Sequence, residues 1–370
     1  MKKFNFLFLL LSVFSCKLQQ NPEKTLKEAY RPFFKTGAAL AVEHTQNGDR
    51  SMRLVQQQFN SIVAENCMKP ESLQPNEGNF DFRDADQFVA FGETNGMFIV
   101  GHTLVWHSQV ADWMFENEEG GIVSREVLID RMRTHIHTVV ERYEGRVQAW
   151  DVVNEAIDDV SGLRKSKWHE IIGPEFIELA FQFAHEADPE AELYYNDYSM
   201  ILPHRREEAV SLVKNLQEKG IRVDGIGIQA HYGIDYPDLH EFEASIVAFS
   251  ELGVKVMLTE LDISVLPFPT EEMSAEISQQ YELEASMNPY SEDYPESVDQ
   301  ELASNYEDIF KILLKHQDKI DRVTFWGVND DHSWRNNWPI TGRTDYPLLF
   351  DRENKPKEAY YRLIDLVTKK

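Results

Sequence analysis

An α/β chain folded as a single (β/α)8 TIM barrel is predicted here by three observations. Short apolar runs of strand length alternate with amphipathic runs of helical period. There are eight such apolar runs, the number that closes a parallel barrel. Each is apolar on both faces, as strands covered by helices outside and packed inside must be.

The runs, in order, are Thr36–Val42, Ser61–Glu65, Met97–His102, Val147–Asn154, Glu192–Asn196, Gly225–Ala230, Val254–Glu260 and Arg322–Gly327. Helix signals fill the gaps. Ser124 is placed to cap a stripe of Leu128, Met132, Ile136, Val139, Val140 and Tyr143, closed by Gly145. Pro174 opens the next helix and Asp188-Pro189 ends it. Ala209, Leu212, Val213 and Leu216 precede Gly220, and Leu239, Phe242, Ile246, Phe249 and Leu252 precede Gly253. Val298, Leu302, Tyr306, Ile309, Leu313 and Leu314 form one more stripe. Periodicity does not show closure, so an open doubly wound sheet stays as the alternative. The irregular stretch from Asp262 to Glu301 holds four prolines and should lie on the face where barrels build their sites.

At the N-terminus, Lys2 and Lys3 precede the apolar run FNFLFLLLSVF and then Ser15-Cys16. Residues 1–15 read as a signal peptide, with Cys16 as a lipidation site, 16–30 as a polar tether and 31–370 as the barrel domain. Export to the cell envelope follows as an expectation, in the periplasm or on the outer-membrane surface, or else secretion. A monomer is expected. Beyond Cys16 the sequence has one other cysteine, Cys67, beside a strand end, and it is expected to be a small buried apolar residue.

Of the 370 residues 42% are hydrophobic, enough for a large core, and the formal charge is −26. So acidic a chain is unsuited to nucleic acid or to anionic lipid, and membrane contact is expected only through the anchor.

Nearly every strand ends in residues able to bind or to catalyse: Glu65-Asn66 with Lys69, then His102, Trp106 and His107, then Asn154-Glu155. Asn196-Asp197, Gln229 with His231, Glu260 with Asp262, and Trp326 with Asn329 and Asp330 follow, with Trp334 and Trp338 beyond. One such end is ordinary structure, but seven on one edge of a barrel describe a site. The chain has no HExxH motif, dinucleotide fingerprint or GxSxG elbow, so no metal or cofactor is expected. His135 and His137, two apart on a helix, point apart and are expected on the surface. Glu155 and Glu260, each ending an apolar run, supply the paired carboxylates that glycosidic cleavage requires, while amides, imidazoles and tryptophan faces suit sugar rings.

The strings FNSIVAENCMK, GHTLVWHSQ, WDVVNEA, YYNDY, GIQAHY, TELD, TFWGVND, DHSW, WPITGR and YPLLFD resemble glycoside hydrolase family 10, the β-1,4-xylanases, from about residue 36 to 365. The resemblance implies a (β/α)8 barrel and endo-hydrolysis of xylan or xylo-oligosaccharides with retention of configuration. It implies Glu155 as acid/base and Glu260 as nucleophile. Glu65, Asn66, Lys69, His102 and Trp106 would hold the glycone sugars, and Asn154 the 2-hydroxyl at the cleavage point. His231 and Asp262 would hold and tune the nucleophile, with Gln229 beside them, Trp326 and Trp334 would wall the cleaved sugar, and Asn196 and Tyr198 would lie toward the leaving group. Two positions depart from the pattern, Ala111 and Glu358, where the family usually has proline. Rival readings are a binding protein that kept the cleft, action on β-1,4-glucan, and an exo mode closed by the long loop.

Overall fold

The computed structural model of the chain describes residues 24–270 and 279–369. The signal peptide and Cys16 lie outside the described residues.

Among the described residues nine strands form one closed, wholly parallel sheet: β1 Lys35–Leu40, β2 Ser61–Ala64, β3 Phe98–Val105, β4 Ala149–Asn154, β5 Glu192–Asp197, β6 Gly225–Ile228, β7 His231–Gly233, β8 Lys255–Ser264 and β9 Ile320–Phe325. Neighbours pair in sequence order from β1 to β6. Three further pairings, Gly225 with Lys255 between β6 and β8, Leu258 with Val323 between β8 and β9, and Lys35 with Arg322 between β1 and β9, close the ring. Only β7 adds to the expected eight, and it is the continuation of β6. Ala230, at φ 64°, breaks the run, after which His231 resumes pairing opposite Asp262. The barrel is therefore eight-stranded, and the open sheet is excluded.

Two apolar layers hold it. Inside, Ala39, Val63, Val100, Ala149, Tyr194 and Met257 meet beneath Trp326. Outside, the helix stripes pack on the strands. Ser124 caps helix Arg125–Arg142 by accepting from Val127 N–H, a bond whose loss costs about 1 kcal/mol. Trp150 and Trp168 are fully buried, as expected, and Gly101 makes room for the first, since a Cβ there would lie 2.1 Å from the Trp150 ring.

Four expectations need correction. The barrel fold begins before residue 31, because Leu26–Tyr30 is a helix whose Leu26 and Tyr30 are buried, with Tyr30 donating to the carbonyl of Leu363 at 2.8 Å. Pro174 does not open its helix, which spans Phe176–Ala187. His135 is buried rather than exposed: it shares the face of Met132 and Ile136, and its Nδ1 meets Gln74 Oε1 at 2.9 Å. Cys67 is only half-buried against the core.

The two departures from the family pattern keep a proline-compatible backbone. Ala111 sits at φ −66°, ψ 142°, and Glu358 is the first residue of helix Glu358–Thr368, the turn position where proline is best tolerated.

Candidate active site

At the C-terminal ends of the strands a cleft of about 340 Å³ opens, lined by Glu65, Asn66, Lys69, His102, Trp106 and Gln109 on one side. Asn154, Glu155, Tyr198, Gln229, His231, Glu260, Trp326 and Trp334 complete its floor and far wall, with Gln280, Asn337 and Trp338 at the rim. Thirteen of the fifteen residues to which the resemblance gives roles thus reach one cavity.

Glu155 follows the last residue of β4 in a left-handed conformation, φ 58°. Its carboxyl accepts Trp106 Nε1–H at 2.7 Å on one oxygen and Gln229 Nε2–H at 2.8 Å on the other. Burial pushes its pKa above the ordinary range, and the charge of Glu260 adds to that, against the two hydrogen bonds. Trp106 is itself fixed from behind, its carbonyl accepting Trp168 Nε1–H at 2.8 Å.

Glu260 lies within β8, which continues four residues beyond it. Burial would raise this carboxyl too, but the bond from His231, the charges of His102 and His231 and the bond from Asn196 hold it below the ordinary range. Asn196 Nδ2–H donates to Glu260 Oε1 at 2.7 Å, and His231 Nε2 lies 3.2 Å from Oε2. Burial alone would deprotonate His231. Asp262, 3.0 Å from its Nδ1, together with Glu260, raises it to about 9. The ring is therefore an imidazolium that donates in both directions. Against its own burial, Asp262 is held down at about 2 by Arg335 and His231. Arg335 contributes two bonds, at 3.1 and 2.9 Å, and Trp334 Nε1–H a third at 2.7 Å.

Amides join the two carboxylates. Gln229 donates to Glu155 and, at 3.3 Å, to Asn154 Oδ1; Asn196 donates to the same Oδ1 at 3.0 Å and to Glu260. With its oxygen doubly occupied, Asn154 has its NH2 left to donate into the cleft. At the far end Lys69 Nζ–H donates to Asn66 Oδ1 at 2.9 Å and to Gln109 Oε1 at 2.7 Å, with one donor left over. Trp334 stacks on Trp338, centroids 4.8 Å apart, and the edges of His102 and His231 face Trp326.

Asn196 and Asp262 do not line the cleft. Both are completely buried, and both serve the carboxylates from beneath. β5 points Asn196 inward, where it bonds to Glu260 and Asn154. Tyr198 does line the cavity, its hydroxyl bonded to Asp159 and to Arg164. Sequence reasoning missed Asp151, which meets His102 Nδ1 at 2.9 Å, and it missed Arg335, Gln109 and Arg164. Gln280 belongs to the long irregular stretch, which therefore contributes to the cleft. Among the described residues no cluster of His, Cys, Asp and Glu could hold a metal ion.

A family model, glycosyl hydrolase family 10, matches residues 25–366. The chain is 47% identical over 359 residues to endo-1,4-beta-xylanase A of Xylanibacter ruminicola, covering 97% of each. It is 42% identical over 348 residues to the endo-1,4-beta-xylanase of Geobacillus stearothermophilus, covering 92% of this chain and 98% of that one. Among solved structures, a GH10 endoxylanase from a sugarcane soil metagenome superposes with a TM-score of 0.89 at 47% identity, over 92% of this chain and 99% of the other. Xylanase B of Clostridium stercorarium F9 superposes at 0.84 with 38% identity, over 92% and 99%.

Proposed function

The chain belongs to glycosyl hydrolase family 10, and from that premise we propose how its residues divide the work. The activity is endo-hydrolysis of β-1,4-xylosidic bonds in xylan, with retention of configuration in two displacements. Glu260 is the nucleophile. It attacks the anomeric carbon while Glu155 delivers its proton to the departing glycosidic oxygen, so the C–O bond breaks as the glycosyl ester forms. Glu155, now ionised, takes a proton from water, which attacks the same carbon and frees Glu260. The observation that carries this division is the opposed setting of two buried carboxyls. Burial and the charge of Glu260 favour the protonated form of Glu155 against its two neutral donors, whereas an imidazolium and an amide favour the charged form of Glu260.

Asn154 offers its free NH2 to the sugar hydroxyl next to the reacting carbon. Lys69, Asn66, Glu65 and His102 hold the glycone, with Trp106 as a platform. Trp326 and Trp334 wall the cleaved residue, and a wall there disfavours the hydroxymethyl group of a hexose. Tyr198 faces the leaving group. Asn196, Gln229, His231 and Asp262 set the charge states. The residues before Thr25 support export, with Cys16 lipidated and the barrel a monomer held at the envelope.

A 2-deoxy-2-fluoro-xylobioside with an activated leaving group tests the assignment. Mass spectrometry should find the trapped sugar on the peptide containing Glu260. A label on Glu155, or none with full activity retained, overturns it.

A further inference from the structure

Arg164 takes no part in the division above, yet it touches both walls of the acid's side of the cleft. The chain leaves β4 at Glu155, turns through residues 158–162 and returns, with Arg164 N–H donating to the Ala156 carbonyl at 2.8 Å. From this returning arm the guanidinium reaches back. Nε–H donates to the carbonyl of Glu155 itself at 3.1 Å, and Nη2 donates to the carbonyl of Ile157 at 3.1 Å and to the hydroxyl of Tyr198 at 2.7 Å. The side chain is mostly buried, 16% exposed, and its contact with Asp159 is long, at 4.0 Å.

A positive φ at a residue other than glycine is held by its surroundings rather than by its own preference. At Glu155 the surroundings are countable. Its N–H donates to the Asn196 carbonyl at 2.9 Å, and Ala156 N–H to Tyr195 Oη at 3.2 Å. Ile157 N–H donates to Asp197 Oδ2 at 3.3 Å. Three of the anchors come from β5; Arg205 reaches the Ile157 carbonyl at 3.5 Å and the Tyr198 carbonyl at 3.1 Å, while Arg164 ties the peptide of Glu155 itself to the Tyr198 hydroxyl.

We propose that Arg164 is a positioning residue for Glu155, locking its peptide to Tyr198 and placing a fixed positive charge that favours the carboxylate form of Glu155 in both half-reactions. This rests on the acid/base reading of Glu155. Other charged or titratable groups face Glu155 from the elements around it: Glu260 on β8, Asp197 on β5 with its partner Arg205, Lys69 after β2, and the imidazole of His107 after β3, whose Nδ1 is 3.9 Å from Oε2. Asp197 is paired with the buried Arg205 at 2.6 Å, which leaves Arg164 as the cation that opposes Glu260 from the loop after β4. Its charge also lowers the Glu155 pKa.

The consequence differs between the two steps. Without Arg164 the proton is held more tightly and aimed less well, so poor leaving groups depart slowly. The ionised form needed to activate water is also less accessible, so the glycosyl-enzyme accumulates.

The test compares Arg164→Met and Arg164→Lys with the unmodified enzyme on xylohexaose and on a dinitrophenyl xylobioside, over a pH range. For Arg164→Met, kcat/KM on xylohexaose should fall by about tenfold to a hundredfold. On the activated substrate kcat/KM should stay within about twofold, while kcat and KM fall together. The basic limb of the xylohexaose profile should move to higher pH. Arg164→Lys should keep the limb near its original place and recover part of the rate. Equal losses on both substrates with an unmoved basic limb would reduce Arg164 to a loop support and overturn the proposal. Glu155→Ala on the same pair separates the two failures: if it too loses both substrates equally, the acid/base reading itself is wrong.

Discussion

His231 bridges Asp262 and Glu260, 3.0 Å from the first and 3.2 Å from the second, and carries its proton between two carboxylates. The pair it makes with Glu260 keeps the nucleophile ionised. Removing the imidazolium while keeping a donor, as in His231→Gln, should raise the Glu260 pKa. The acid limb of kcat/KM then moves to higher pH, and activity on that limb drops by about tenfold for each pH unit the limb moves. A pH profile with its acid limb in the original place would show that His231 does not control the charge of Glu260.

The same ring links stability to pH. Its folded value of about 9 lies above the ordinary 6.5, so the stabilisation is fully present below pH 6.5 and is lost as pH rises through 9. Asp262, held at about 2 from an ordinary 3.8, contributes above 3.8 and loses its contribution as pH falls through 2. The raised His231 value corresponds to roughly 3 kcal/mol, on the order of several degrees of melting temperature. Thermal unfolding followed from pH 6 to 10 should show this decline, and His231→Gln should flatten it. An equally steep decline in the variant would place its origin elsewhere.

Glu155→Ala separates proton donation from nucleophilic attack. Loss of the acid should reduce cleavage of xylan by about a hundredfold or more, because a sugar alkoxide is a poor leaving group. The first step on a dinitrophenyl xylobioside, which needs no proton, should survive. Added azide should then speed turnover by replacing the water that Glu155 no longer activates, giving a glycosyl azide of the same anomeric configuration as the substrate. A glycosyl azide of inverted configuration would contradict the assignment.

The barrel and the cleft were legible because their signals are local. Strand periods, capping Ser124 and a polar residue at each strand end need no knowledge of what lies opposite. The resemblance added roles to Glu155 and Glu260. Less legible was the layer beneath the cleft. Asp151 and Arg335 are charged residues that only the closed barrel brings against His102 and Asp262. Asn196 belongs to the same layer: the resemblance implied a place toward the leaving group, while in the barrel Asn196 is buried beside Glu260 and Tyr198, beyond the strand end, faces the cleft. Arg164 was hidden because two of its partners are the backbone carbonyls of Glu155 and Ile157, which leave no mark on side-chain pattern.

Gly227 shows how tightly that hidden layer is built, and supplies a test with no change in any charged or catalytic side chain. A Cβ at this position would lie 2.3 Å from Asn196 Oδ1 and 2.7 Å from Thr259 Cγ2. That same Oδ1 accepts the Thr259 hydroxyl at 2.6 Å, which turns the amide so that Nδ2 faces Glu260 and Asn154. Gly227→Ala must therefore displace Asn196, loosening Glu260 and freeing the Asn154 amide at once. The expected result is a loss of kcat/KM of about tenfold to a hundredfold, with the acid limb moved to higher pH and a melting temperature lower by several degrees. Gly225→Ala is the control, since its Cβ would press instead on Tyr194 at 2.8 Å and Met257 at 3.0 Å within the barrel interior. It should cost stability and leave the acid limb in place. If Gly227 acts through Asn196, then adding Gly227→Ala to an Asn196→Ala enzyme should cause little further loss of activity, the non-additivity expected of neighbours that share one function. Fully additive losses in that cycle would mean that the crowding at Gly227 damages the barrel without passing through the amide.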